Sequence, residues 1–193
     1  MSRRSKPLPD MPLLSWGDQL RAQKAHRRML RRRAVCVAIG CAFVLGSTLF
    51  DPAPRLVWNA SASAPIGLYT VSPEALAEPD DMVVARVPVP FRPLAATRHY
   101  LPENVPLVKR VVAAAGDEVC ALNREIFVNG YWIAERRTVD GAGRSMPLWH
   151  GCVRLRGHQL FLLMDAPDSF DGRYFGVTEG DDVVGKARLL WAR

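Results

Sequence analysis

Ser63 and Lys109 stand in segments whose composition suits a nucleophile and a base. Ser63 lies in residues 59–67 (NASASAPIG), which are rich in small side chains, and Lys109 lies in the apolar residues 105–112 (VPLVKRVV). A serine hydroxyl attacks an amide only when a base accepts its proton. A lysine is such a base when burial lowers its pKa from the usual value of about 10.4 and leaves the amine neutral. The two segments predict acyl-transfer chemistry, with Ser63 as nucleophile and Lys109 as base.

Each of these two residues also has an ordinary interpretation. Valine and leucine side chains surround Lys109 along its strand, and Arg110 takes the opposite face. The alternative for Lys109 is a strand lysine that extends its ammonium group to solvent. The alternative for Ser63 is a plain serine of a small-residue linker.

Three segments resemble the motifs of the signal-peptidase-type serine proteases. They are residues 59–67, residues 105–119 with KRVV followed by GDEV, and residues 168–176 (DSFDGRYFG). The short Ser63-Ala64-Pro65 spacing is most similar to the conjugative-transfer (TraF-type) peptidases, because bacterial leader peptidases have one more residue between serine and proline. The resemblance covers roughly residues 55–190 and implies a mainly antiparallel β catalytic domain.

The resemblance also implies roles for further residues. The N–H of Ser63 and the hydroxyl of Ser61 would stabilise the oxyanion. Ser169 would hydrogen-bond the lysine base, and Asp171 with Arg173 would form a supporting ion pair. Residues two apart share a face of a strand, so we expect this pair side by side on a strand. The alternative is a polar turn that leads into a strand.

Two features depart from the family pattern. The third segment begins with Met164-Asp165 and has Gly172 where a serine is usual. In addition, Ser145-Met146-Pro147 resembles the start of the leader-peptidase nucleophile motif. It follows the lysine segment, however, so Ser145 is disfavoured as the nucleophile.

Substrate binding is expected between the two main segments. We expect residues 66–71 and residues 105–108 to lie side by side, with a gap that an extended peptide fills by strand addition. Small residues near the scissile bond would fit beside the alanines of residues 60–64. The predicted substrate-binding residues are Pro65, Ile66, Gly67, Leu107 and Val108.

Short runs bounded by Gly, Pro, Asn and Asp predict the strands that position these residues. Asn129-Gly130 predicts a tight hairpin turn. The predicted strands cover residues 82–87, 107–112, 126–128, 131–133, 160–163 and 183–187.

The N-terminal region has a different composition from the rest of the chain. Residues 1–33 contain ten Lys and Arg against two Asp, and residues 34–50 are uncharged. A helix over residues 34–50 would be roughly 25 Å long, at the short end of what crosses a bilayer. The pattern predicts a basic cytoplasmic tail over 1–33, a transmembrane helix over 34–50 and a periplasmic domain over 51–193 at the bacterial inner membrane. The alternative is a signal peptide cleaved near residues 60–64, where the A-x-A pattern occurs twice.

The other chemical classes lack a signal. Outside the tail the chain has 16 basic and 17 acidic residues, so no basic face is left for nucleic acid. The cysteines and four histidines show no metal-ligand spacing, and the sequence predicts neither a metal nor a cofactor. Cys120 and Cys152 flank the predicted hairpin, and an oxidising compartment predicts a disulfide between them.

The sequence therefore predicts a membrane-anchored serine endopeptidase that processes a membrane-bound protein precursor. The resemblance implies a conjugative pilin as the precursor, cyclisation of the product in some members, and contacts with conjugation or type IV secretion components. One alternative is a general signal peptidase I. Another is an inactive periplasmic module that assists assembly of a secretion channel.

Overall fold

The computed structural model describes residues 12–49, 53–73 and 75–193. It divides the chain into two compact units, residues 1–52 and 53–193. The first unit contains helix α1, Pro12–Leu49, which includes most of the predicted membrane segment, whereas Phe50 lies outside the described residues. Across the described ranges, no helix combines the length and the apolar character needed to cross a membrane. The membrane anchor is therefore not confirmed.

The second unit consists mainly of strands with two short α-helices. The strands are β1 Leu56–Asn59, β2 Gly67–Ser72, β3 Met82–Ala85, β4 Leu107–Ala113, β5 Glu118–Leu122, β6 Glu125–Val128, β7 Tyr131–Glu135, β8 Gly151–Arg154, β9 Phe161–Leu163 and β10 Val183–Ala192. The helices are α2 Arg92–Thr97 and α3 Gly172–Phe175.

The strands form two antiparallel sheets, which confirms the predicted mainly β architecture. The larger sheet has the order β1-β2-β10-β3-β4-β9, and the smaller one has the order β7-β6-β5-β8. Apolar side chains of β2, β3, β4 and β9 form the core of the larger sheet. β4 lies between β3 and β9 and is buried over most of its length.

The predicted hairpin is also confirmed. β6 and β7 pair with Val128 opposite Tyr131, and the two turn residues have positive φ angles of 51° at Asn129 and 83° at Gly130. Asn and Gly tolerate this left-handed conformation, which matches the twist of the flanking strands. Strands β1, β2, β5 and β8 were absent from the predicted set. β8 is exposed along its whole length, so it has no alternating apolar pattern to mark it.

The expected contact between residues 66–71 and 105–108 is wrong. β10 and β3 lie between β2 and β4 in the sheet. Gly67 pairs with Asn59 on one side and with Ala192 on the other. A Cβ atom at Gly67 would lie 2.1 Å from the carbonyl oxygen of Trp191, so β10 fills the space where a peptide was expected.

Candidate active site

Lys109 is buried in the larger sheet, and its amine contacts two serine hydroxyls. It lies on β4 opposite Val83 of β3 and is 4% exposed. Its Nζ donates hydrogen bonds to Ser63 Oγ at 2.8 Å and to Ser169 Oγ at 2.7 Å. Among the described residues, no carboxylate lies within ion-pairing distance of this amine. The amine thus has hydrogen-bond partners but no direct counter-ion.

This environment favours the neutral amine. Burial lowers the pKa of Lys109 from 10.5 to about 8, because the charged form loses its hydration. The negative charge of Asp171 raises the pKa of Lys109, and the positive charge of Arg173 lowers that pKa further. A substantial fraction of Lys109 is therefore able to accept a proton at mildly alkaline pH.

Ser63 lies on the loop that connects β1 to β2. Its Oγ is 3.0 Å from Ser61 Oγ, and its backbone N–H donates to the same Ser61 Oγ at 3.4 Å. The structure thus brings Ser61, Ser63, Lys109 and Ser169 together. The Ser61 hydroxyl thus lies beside both the Ser63 hydroxyl and the Ser63 N–H.

Asn59, which the sequence analysis did not single out, holds this loop. It is the last residue of β1 and is 6% exposed. Its Nδ2 donates to the carbonyl oxygens of Ser61, Ala64 and Pro65, and its Oδ1 accepts from the N–H of Ser61. An asparagine that precedes a loop commonly bonds the backbone two residues on, and this was the available sequence signal.

Asp171 and Arg173 are both buried and close together, but they do not lie on a strand as expected. Asp171 is the N-cap of α3, and its Oδ1 accepts from the N–H of Arg173 at 3.2 Å. Their side chains form an ion pair at 3.6 Å. A four-residue helix is too short to leave a periodic pattern in the sequence, which explains the error.

The same pair supports the segment that carries Ser169. Asp171 Oδ2 accepts from the N–H of Met164 at 3.1 Å. The Arg173 guanidinium donates to the carbonyl oxygens of Met164 and Ala166. Both side chains thus fix the main chain just before Ser169, which in turn accepts from Lys109.

Gly172 has no room for the serine that is usual in the family motif. A Cβ atom there would lie 2.7 Å from the carbonyl oxygen of Leu162 and 2.7 Å from the ring of Phe161. Here α3 packs directly against β9, and the departure from the motif has a steric reason.

A cavity of about 790 Å³ opens beside the serines. Residues 58–63, 105–109 and 168–170 contribute to its lining, together with parts of 100–102 and 137–146. Leu107 and Val108 of the predicted substrate-binding set line it, whereas Pro65, Ile66 and Gly67 do not. The exposed Ser145 belongs to neither the lining nor the serine cluster.

The smaller sheet carries the predicted disulfide. Cys120 of β5 and Cys152 of β8 are directly opposite each other in the sheet, with a Cα separation of 4.0 Å. The bond lies outside the cavity lining and joins two strands of the same sheet.

Residues 28–192 match the family described as signal peptidase, peptidase S26, and the chain belongs to that family. Membership assigns a serine peptidase activity. The plasmid transfer protein TraF of Escherichia coli is 27% identical over 169 residues, covering 81% of this chain and 94% of that protein. A signal peptidase I from Enterococcus faecalis is 18% identical, with a TM-score of 0.33 over 56% of this chain and 94% of its own.

Proposed function

We propose that the chain is an endopeptidase in which Ser63 is the nucleophile and neutral Lys109 is the general base. The observation that carries the proposal is the buried Lys109 amine, 2.8 Å from Ser63 Oγ and without a carboxylate partner among the described residues. The lowered pKa of Lys109 supports it, because a base must be unprotonated before the attack.

The reaction follows from these contacts. Lys109 takes the Ser63 proton while Oγ attacks the scissile carbonyl carbon, and the resulting oxyanion accepts hydrogen bonds from the Ser63 N–H and the Ser61 hydroxyl. The carbon–nitrogen bond then breaks, and the leaving amine takes the proton from Lys109. A water molecule, or an amine of the substrate, next gives a proton to Lys109 as it attacks the acyl carbon. The ester bond to Ser63 Oγ then breaks, and Oγ takes the proton back from Lys109, which restores the free enzyme. Ser169 keeps the lysine amine directed at Ser63 throughout.

The proposed substrate is an extended segment of a membrane-bound protein precursor with small residues before the scissile bond. β1 has no strand partner beyond β2 among the described residues, and residues 107–108 of β4 pair on one side only, with β3. Both border the cavity, so their free main-chain groups offer hydrogen bonds to an added strand. The likeness to a plasmid transfer protein supports a conjugative pilin precursor as the natural substrate.

The location proposed with this function is the bacterial inner membrane, with the N-terminus in the cytoplasm and residues 51–193 in the periplasm. Its support is the basic tail followed by an uncharged run in the sequence.

The test is cleavage of a fluorogenic peptide with Ala-x-Ala before the scissile bond, followed by mass spectrometry of the products. We expect Ser63→Ala and Lys109→Ala to be inactive, and Ser145→Ala to cleave as well as the wild type. Cleavage by Ser63→Ala would reject the nucleophile, and cleavage by Lys109→Ala would reject the base. With intact precursors, processing of many unrelated exported proteins would identify a general signal peptidase, and no processing at all would favour an inactive assembly module.

A further inference from the structure

The side chain of Asn59 makes an unusually complete set of contacts for a residue outside the serine cluster. The amide is buried, and its Nδ2 lies 3.0 Å from Ser61 O, 3.2 Å from Ala64 O and 3.1 Å from Pro65 O. Its Oδ1 is 3.1 Å from the N–H of Ser61. Two amide hydrogens thus serve three carbonyl oxygens, and the carbonyl end is also used.

These contacts favour asparagine over aspartate, which has the same shape. A carboxylate in the same place would have no hydrogen to donate and would face three carbonyl oxygens. The carbonyl of buried Ala64 has little access to water that could replace the lost donor. The arrangement therefore requires an amide at residue 59.

The loop held by Asn59 is the loop that carries the nucleophile. The β1–β2 pairing ends at Asn59 opposite Gly67, and residues 60–66 make the connection. Asn59 bonds the backbone on both sides of Ser63, at Ser61 and at Ala64. It thereby fixes the path of the loop, which sets the places of the Ser63 N–H and the Ser61 hydroxyl.

We infer that Asn59 is a positioning residue for the oxyanion donors, acting through the main chain of residues 61–65. The inference rests on the proposed function and extends it to a residue whose side chain does not touch the reacting atoms. A displacement of about 1 Å in such a constellation lowers turnover by roughly 100-fold. All hydrogen bonds of the amide run to residues 61–65, so we expect turnover to depend on it more than substrate binding along β1 and β4 does.

The test compares Asn59→Asp and Asn59→Ala with the wild type in the full chain, using the Ala-x-Ala peptide. Both variants should lose about 100-fold in kcat per folded molecule, while KM stays within about threefold of the wild-type value. The pH midpoint of kcat should not move, because Lys109 keeps its buried place. Circular dichroism on the same samples gives the folded fraction.

Tyr69→Phe is the matched control, since the Tyr69 hydroxyl donates to the same Pro65 oxygen at 2.8 Å but does not reach Ser61. We expect it to keep most of the wild-type kcat. An equal loss of kcat in Tyr69→Phe would overturn the inference, because general loosening of the loop would then be sufficient.

Other outcomes also decide the question. An unchanged kcat per folded molecule, a rise in KM alone, or failure of both Asn59 variants to fold would each overturn the inference. If Ser63→Ala cleaves the peptide, or the wild type does not, the proposed function itself fails and takes this inference with it.

Discussion

Replacement of Lys109 by methionine should abolish cleavage and also stabilise the fold at neutral pH. Methionine has a similar length and shape, so the site stays filled. The lowering of the Lys109 pKa from 10.5 to about 8 corresponds to about 3 kcal/mol of lost stability when both states carry the proton. The lost hydrogen bonds to Ser63 and Ser169 offset about 0.5–1 kcal/mol each. The expected net gain at pH 7 is about 1–2 kcal/mol, or roughly 3–8 °C in Tm.

The sign of this effect should change with pH. Below pH 8 both folded and unfolded Lys109 are protonated, and the folded state bears the full burial penalty. Between pH 8 and 10.5 the unfolded chain binds more protons than the folded chain, so the wild type gains stability as the pH rises. Above the unfolded pKa the penalty is gone and only the hydrogen bonds differ. There the wild type should be the more stable protein.

The assay is thermal unfolding of the full chain at several pH values, with the difference in Tm between variant and wild type as the readout. Arg110→Met is the control, because it removes the neighbouring cation on β4 and leaves Lys109 in place. The difference in Tm between Arg110→Met and the wild type should stay constant from pH 7 to above pH 10.5. If Lys109→Met instead lowers Tm by the same amount at pH 7 and above pH 10.5, the amine carries no burial penalty and the reasoning is refuted.

Four further results are expected. Ser61→Ala should lower kcat by about 100-fold with little change in KM, because it removes one oxyanion donor, and steady-state kinetics will measure both. Gly172→Ser should lower the free energy of unfolding by about 1–3 kcal/mol, since its Cβ meets β9, as denaturant titration will show. Reduction of Cys120–Cys152, separated by 32 residues, should lower stability by about 3–4 kcal/mol and leave cleavage at low temperature intact. A periplasm-active reporter fused after Arg193 should be active, and the mature protein should keep its basic tail.

Each of these expectations has an opposing result. An unaltered kcat in Ser61→Ala would mean that groups other than the Ser61 hydroxyl stabilise the oxyanion. A Gly172→Ser protein as stable as the wild type would mean that α3 moves away from β9 without penalty. Loss of cleavage on reduction, in protein that is still folded, would tie the smaller sheet to catalysis. A mature N-terminus near residues 60–64 would restore the signal-peptide alternative and remove Ser63 from its proposed place.

The parts of the site that could be predicted are those with a local signal. Lys109 stands in an apolar run long enough to predict a buried strand, and Asn129-Gly130 specifies its turn through the conformations those residues tolerate. The neighbourhood of Ser63 and Lys109 was expected from the motif resemblance. Apolar runs and turn residues were therefore sufficient to predict the mainly β architecture.

The parts that were missed depend on contacts between distant residues. The position of β10 between β2 and β3 is not visible in any short segment, so an added peptide strand was expected on β2, where β10 lies. The role of Asn59 likewise appears only when the chain folds back through Pro65. The α3 cap at Asp171 was taken for strand geometry because four residues carry too little pattern.

The place of β10 in the larger sheet has a consequence for the order of events during biosynthesis. β1 with β2 forms one piece of the sheet and β3 with β4 and β9 forms another, and β10 joins the two. The hydrogen bond from Thr70 to Arg188 spans 118 residues, so we expect this closure to be a late and slow step in folding. Ser63 belongs to the first piece and Lys109 to the second. If the two residues act as proposed, a nascent chain that still lacks residues 183–192 should have no aligned nucleophile and base, and we expect the enzyme to remain latent until β10 has been synthesised.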